Sequence, residues 1–241
     1  MIVTGIDEAG RGALIGPLVI AGVTIEKKDE KKLKELGVKD SKLLSPKRRE
    51  ELAQKIEEIA TNIVIMRVQP CRIDDMMRSG TNLNKIEAMK MAEIVEMCRG
   101  STVYIDSLGH DYKDSSGKKC NKFKQVVQGY MKDKKCDLIV ENHLDESVPV
   151  VSAASIIAKV NRDEAIKEIE RDAGQPIGVG YPHDVRTIQF VEKLIKERGK
   201  DLPPFVRRSW ITTKILQEKS WQKKIKDFMF GKKEKCKEGK V

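Results

Sequence analysis

The sequence predicts an α/β fold: a central mixed sheet of five strands flanked by helices, then a helical extension at the C-terminal end. Three observations predict it. Apolar, β-branched runs alternate with stretches of helical spacing from residue 1 to about 175. The first two runs are separated by a connection too short for a crossover, which asks for antiparallel pairing, whereas the later ones have helices between them, which asks for parallel pairing. Beyond Gly174-Gln175-Pro176 only loop and helix patterns follow. Residues 1–184 are therefore read as the α/β domain and residues 185–241 as a helical region with a basic tail.

The elements follow in order. Met1 to Ile6 is a strand, and Pro17 to Ile25 a second, paired to it through the Ala9–Gly16 connection. Lys27 to Leu36 is charged enough to be a short exposed helix ending at Gly37. Ser45-Pro46 supplies an N-cap and a first-turn proline for a helix carrying Leu52, Ala53, Ile56, Ile59 and Ala60 on one face. Asn62 to Val68 is the third strand, Pro70 to Arg78 a helical turn, and Asn82 to Cys98 a helix stopped by Gly100. Ser101 to Asp106 and Cys136 to Glu141 are the fourth and fifth strands, with a polar loop and a helix near 121–131 between them. His143 and Asp145 fall in a loop. Helices follow over 150–173, 187–198 and 206–230.

Composition sets bounds. A 39% hydrophobic and 35% charged chain of 241 residues is polar yet able to fold around a core. Of the net +10, residues 214–241 contribute +6, from ten lysines against four acids; such charge suits a polyanion. Five scattered cysteines without a C-x-x-C pair exclude a zinc ribbon and a disulfide framework. No run approaches the ~20 apolar residues of a membrane span. The expectation is a soluble, cytoplasmic protein with no membrane partner.

The chemistry centres on Gly5-Ile6-Asp7-Glu8-Ala9-Gly10-Arg11-Gly12. Two adjacent carboxylates end a strand, and a Gly-Arg-Gly follows whose glycines admit close backbone approach to a ligand. Arg11 offers a planar, permanently charged partner for phosphate. Asp106 ends the fourth strand and Asp145 follows the fifth, so strand order brings four carboxylates to one sheet edge. Left alone they would repel; Mg²⁺ or Mn²⁺, which take oxygen ligands, would neutralise them. Two such ions ~4 Å apart activate a water for phosphodiester cleavage. The bland reading is an acidic turn and two strands that happen to end in aspartate. His110, His143 and His183 have no metal-ligand spacing and read as loop residues.

The opening octapeptide, together with Asp40-Ser41-Lys42-Leu43-Leu44-Ser45, Tyr104-Ile105-Asp106, Val150-Val151-Ser152-Ala153-Ala154-Ser155-Ile156-Ile157-Ala158-Lys159, Gly180-Tyr181-Pro182 and Arg207-Arg208-Ser209-Trp210, resembles the ribonuclease HII (type 2 ribonuclease H) family in its archaeal form. The blocks stand in family order over most of the chain, which makes the set specific although each alone is weak. The resemblance implies a ribonuclease H-like fold. It also implies endonucleolytic cleavage of RNA in RNA–DNA hybrids and 5′ to single ribonucleotides in duplex DNA, leaving 3′-hydroxyl and 5′-phosphate ends by metal-activated water. It carries the metal-binding acids onto Asp7, Glu8, Asp106 and Asp145, with Asp137, Glu141 and Glu146 as neighbouring acids. Gly10, Arg11 and Gly12 become the element that meets the ribose 2′-hydroxyl through backbone groups. Tyr181 stacks on the next sugar, and Lys42 contacts a phosphate. Ser152-Ala153-Ala154-Ser155 reads as packing, Asp163 as a further carboxylate near the site or a helix-surface ion pair, and Arg207-Arg208 as duplex contacts or a surface ion pair.

Gln222-Lys223-Lys224-Ile225-Lys226-Asp227-Phe228-Met229-Phe230 is similar to the sliding-clamp-binding box. Gln222, Ile225 and Phe228 match, while Met229 replaces the second aromatic. The alternative is an amphipathic last helix packing Trp221, Ile225 and Phe228 onto the body. A monomer is expected. The non-catalytic rival, a basic duplex-binding module, has no reason to gather carboxylates where phosphates lie.

Overall fold

The computed structural model describes residues 1–38, 44–107, 111–113, 119–133 and 135–230, with backbone alone for 111–113, 119–120 and 223–230. Five strands form one sheet: β1 (Ile2–Ala9), β2 (Leu18–Glu26), β3 (Asn62–Val68), β4 (Thr102–Asp106) and, after a hairpin of β5 (Asp111–Lys113) and β6 (Lys119–Asn121), β7 (Asp137–Glu141). Their order is β3-β2-β1-β4-β7. β1 and β3 both run antiparallel to β2, while β1, β4 and β7 are mutually parallel, the mixed sheet that the connection lengths predict.

Helices cover both faces: α1 (Glu30–Leu36), α2 (Pro46–Ile59), α3 (Pro70–Arg78), α4 (Leu83–Cys98), α5 (Lys122–Tyr130), α6 (Leu144–Ser147), α7 (Pro149–Ala173), α8 (Val185–Arg198) and α9 (Ile211–Phe230). Ser45 caps α2 by accepting from the Arg48 N–H, and Asn82 caps α4 by accepting from that of Lys85. Among the described residues no helix is long and apolar enough to cross a membrane.

The period-2 alternation of the strands decides which face each side chain serves. Val3, Val19, Ala21, Val23 and Ile25 join α1, α2 and α7 in one core; Ile6, Leu18, Ile20, Val103 and Ile105 join α4 and α5 in the other. The first turn of α7 lies directly on β1. A Cβ on Gly5 would stand 2.4 Å from the Val150 carbonyl carbon, so glycine there is what lets helix backbone reach the sheet. Ser152, Ala153, Ala154 and Ser155 continue that close contact, all of them buried. A third cluster, Leu14, Ile15 and Ile166 with Phe190, Val191, Leu194, Ile195, Leu202, Val206 and Leu216, fixes α8 and α9 to the body.

Four elements differ from the sequence reading. β1 continues through Asp7 and Glu8 to Ala9, because Ala9 still pairs with Val19. The polar loop before α5 contains the β5–β6 hairpin. Asp145 lies in the one-turn helix α6, too short to show a period. The last helix begins at Ile211 rather than 206, because the backbone amides of Arg207, Arg208 and Ser209 donate elsewhere, to Leu14 O and the two Asp74 carboxylate oxygens.

Candidate active site

Asp7 and Asp106 project from the same face of neighbouring parallel strands. Asp7 shares parity with Val3 on β1 and Asp106 shares parity with Tyr104 on β4, and both of those side chains pack on the α7 side. Asp145 reaches the same point from α6, which is tethered there. The Leu144 N–H donates to Asp106 Oδ1 at 2.9 Å, and Ser152 Oγ on α7 donates to the Asp145 carbonyl at 2.5 Å. Each of the three aspartates presents an oxygen within 4.8 Å of the others. Glu8, one residue along the strand, has the opposite parity and leans toward the α4 side. Its carboxyl still responds to Asp106 and Asp145.

The electrostatics are those of buried carboxylates crowded together. Burial first, then Glu8 and Asp106, raise the Asp7 carboxyl well above the usual range, although Ser155 and the Glu8 N–H (2.7 Å) hydrogen-bond to it. Glu8 is pushed up to about 7, again by burial first and by Asp106 and Asp145 after it, with Arg11 opposing. These are oxygen donors only, on a rigid sheet edge. The set fits a hard divalent cation such as Mg²⁺ or Mn²⁺ and suits zinc poorly. His143 and Glu146 make a second group around Asp145, with both of those side chains exposed.

The loop after β1 is held differently. Gly10 has φ +87°, a conformation open to glycine, and a Cβ there would stand 2.6 Å from Arg162 Nε and from Pro17 O. Its N–H donates to the Tyr181 hydroxyl at 3.1 Å. Beneath the loop lies Arg207, fully buried. It donates to Gly10 O and Arg11 O, each at 2.6 Å, and to Gly16 O at 3.2 Å, which makes it neither a duplex contact nor a surface ion pair. Burial, and then the charge of Arg162, push the Arg207 guanidinium down to about 9. Arg162 is also fully buried; its guanidinium lies 4.4 Å from the Tyr181 ring centre and donates to Val179 O at 3.0 Å. Neighbouring Asp163 accepts from Arg49 (2.9 Å) and Lys159 (2.6 Å), an ion-pair junction between α2 and α7. Arg11 turns its head away from the loop toward Glu87 and Asn84 of α4.

The structure thus brings Asp7, Asp106 and Asp145 together, with Glu8 beside them, and places Gly10, Arg11, Gly12 and Tyr181 in one adjoining assembly. Lys42 lies outside the described residues. Arg162 and Glu87 went unread as parts of the site, and Arg207 was read as a contact to the duplex or a surface ion pair rather than as a support of the loop. Two had a signal: Arg162 occurs on the stripe of Ser155, Ala158 and Ile166, and Glu87 on that of Met91, Ile94 and Cys98, so each is a charge where helical spacing calls for an apolar residue. Gln222 is exposed near the end of α9. Trp221 is 38% exposed with Lys200 Nζ 4.6 Å from its ring centre, while the side chains of Ile225 and Phe228, on which both the clamp box and the amphipathic-helix alternative depend, lie outside the described residues.

Comparison with known proteins gives a consistent result. The family model described as ribonuclease HII matches residues 4–213. A ribonuclease HII of Methanococcus maripaludis is 42% identical over 228 residues, covering 93% of this chain and 90% of its own. The crystal structure of the ribonuclease H2 from Pyrococcus horikoshii superimposes with a TM-score of 0.80 at 37% identity, over 92% of this chain and all of that one. A ribonuclease HII solved in complex with PCNA from Archaeoglobus fulgidus superimposes with a TM-score of 0.72 at 35% identity, over 87% of this chain and 95% of its own.

Proposed function

The chain belongs to the ribonuclease HII family, and from that premise we propose how its residues divide the work of a metal-dependent type 2 ribonuclease H. The substrate is RNA paired with DNA, including a single ribonucleotide in duplex DNA, cut on its 5′ side to leave a 3′-hydroxyl and a 5′-phosphate. The observation that carries this reading is the convergence of Asp7, Asp106 and Asp145 within 4.8 Å, one residue away from a glycine loop with an open side.

Asp7, Glu8, Asp106 and Asp145 would hold the divalent cations. Bound there, Mg²⁺ or Mn²⁺ supplies the polarisation of water and phosphodiester oxygens that hydrolysis needs. The sheet edge and the α6 tether keep the acids fixed while the scissile phosphate is brought to them. Gly10, Arg11 and Gly12 present backbone groups to the ribose 2′-hydroxyl, which distinguishes RNA from DNA. Tyr181, tied to Gly10 by its hydroxyl, stacks on the following sugar, and Lys42 contacts a phosphate. The protein acts as a monomer in the cytoplasm.

Incubation with a duplex carrying one ribonucleotide, in Mg²⁺, Mn²⁺ or EDTA, tests this directly. One cut 5′ to the ribonucleotide is expected with a divalent ion and none in EDTA; cutting confined to long RNA tracts would overturn the single-ribonucleotide assignment. The same reading gives the Gln222–Phe230 segment to a sliding clamp, supported by its sequence match, the exposure of Gln222 and the PCNA complex of the relative. Calorimetric titration with the clamp should show binding by residues 1–241 and none by residues 1–220.

A further inference from the structure

Arg11 belongs to the loop assigned to ribose, yet its guanidinium faces the protein. Nη1 donates to Glu87 Oε2 and Nη2 to Asn84 Oδ1, the latter at 2.5 Å, and both acceptors stand on α4. Glu87 is 1% exposed, and its second oxygen, Oε1, takes no hydrogen bond among the described residues. A half-satisfied buried carboxylate is a poor way to stabilise a core, since an apolar residue of similar volume would pack there without the desolvation cost. What it does is hold one end of an arginine.

The grips on the loop are unevenly spread. Arg207 takes the carbonyls of Gly10 and Arg11 from inside, and Tyr181 takes the Gly10 N–H. Gly12, at the far end, has nothing within 4 Å of the position a Cβ would occupy, so that end borders open space. The Arg11 side chain is the tie between this end and α4, a helix that is itself packed on the sheet.

We infer that Glu87, acting through Arg11 with Asn84 beside it, is a positioning residue that sets the backbone of Gly10–Gly12 for ribose recognition. Glu87 itself touches neither the substrate nor the acids at the sheet edge. The inference rests on the reading of this loop as the ribose sensor, and the test separates the two.

The readout is the ratio of dissociation constants for an all-DNA duplex and the same duplex with one ribonucleotide, in EDTA so that no cut occurs, beside kcat and KM in Mg²⁺. Glu87→Ala should lower that ratio about tenfold and kcat/KM on the ribonucleotide duplex likewise, the scale of a modest loop misplacement. Affinity for all-DNA duplex should stay within about twofold. Glu87→Gln, which keeps an oxygen to accept from Arg11, should recover part of the ratio; should Glu87→Ala fail to fold, this variant carries the test through a smaller loss of the same kind. Arg11→Ala combined with Glu87→Ala should lose no more than either alone. Multiplied losses, or equal weakening toward both duplexes, would overturn the positioning role. Gly12→Ala is the control on the premise. If it lowers the ratio and Glu87→Ala does not, the positioning role falls and the sensor stands; if neither lowers it, the sensor reading itself is wrong.

Discussion

Residues 7–8 and residues 10–12 are separated by one alanine and are held by opposite physics. The acids sit where burial and mutual repulsion raise Asp7 and Glu8 above their ordinary range, with hydrogen bonds from Ser155 and the Glu8 N–H, and the charge of Arg11, offsetting part of it. The loop beside them meets the reverse condition. Arg207, Tyr181 and the Arg11–Glu87 pair occupy its carbonyls, an amide and a side chain, so its shape is complete in the chain itself. The difference teaches how, under the proposed function, cutting and choosing would be separated: a cutting half that cations would complete and a choosing half that is preorganised.

The largest expected effect falls on the cutting half. Asp7→Asn removes a ligand charge from the cluster, and turnover should drop by at least about 10³-fold, since metal-dependent hydrolysis rests on that charge. Hybrid affinity in EDTA should change by less than about threefold; near-normal turnover at saturating Mg²⁺ would refute the assignment. The choosing half breaks through stability instead. Arg207→Ala takes the guanidinium from three carbonyls, of which Gly10 O keeps only a long bond from the Ala13 N–H (3.3 Å), and chemical denaturation should report a loss of about 3–5 kcal/mol. Arg207→Lys keeps the charge but not the fork that spans the carbonyls, and should restore only part of it.

The smallest effect sharpens the comparison through pH. Without metal, Glu8 in the folded protein holds its proton to about 7, whereas unfolded it releases it near 4.5. Between those values the folded state binds more protons, so stability must fall as pH rises from about 4.5 to 7. Because Glu8 is only half-buried, its share is on the order of 1–2 kcal/mol, and the raised Asp7 adds a decline of the same sign. Melting curves in EDTA should show that decline, and Mg²⁺ should flatten or reverse it by favouring the ionised carboxylates. An EDTA profile that rises with pH over this window would contradict the repulsive picture.

Most of the sheet was legible because β-branched runs such as Val19–Ile25 and Asn62–Val68 are bounded by turn residues and their parity is plain. Asp7 and Asp106 were legible as strand-end acids for the same reason. Asp145 was harder, since a single helical turn leaves no periodicity and four acids lie within ten residues of one another. The supports of the loop were the least legible. Arg207 serves carbonyls nearly 200 positions earlier in the chain, and no local pattern carries such a distance. Arg162 and Glu87 left a trace, a charge on an apolar stripe, but the trace shows burial without naming the partner.

Arg207 has one more consequence, for the order of events during synthesis. The strands bearing Asp7 and Asp106 and the helices bearing Asp145 and Arg162 leave the ribosome well before residue 207 does. Until it emerges, the carbonyls of Gly10, Arg11 and Gly16 have no buried cation to close on, and so long a span is slow to close. A nascent chain can therefore bring its acidic cluster together before the carbonyls of the neighbouring loop have found the arginine that holds them.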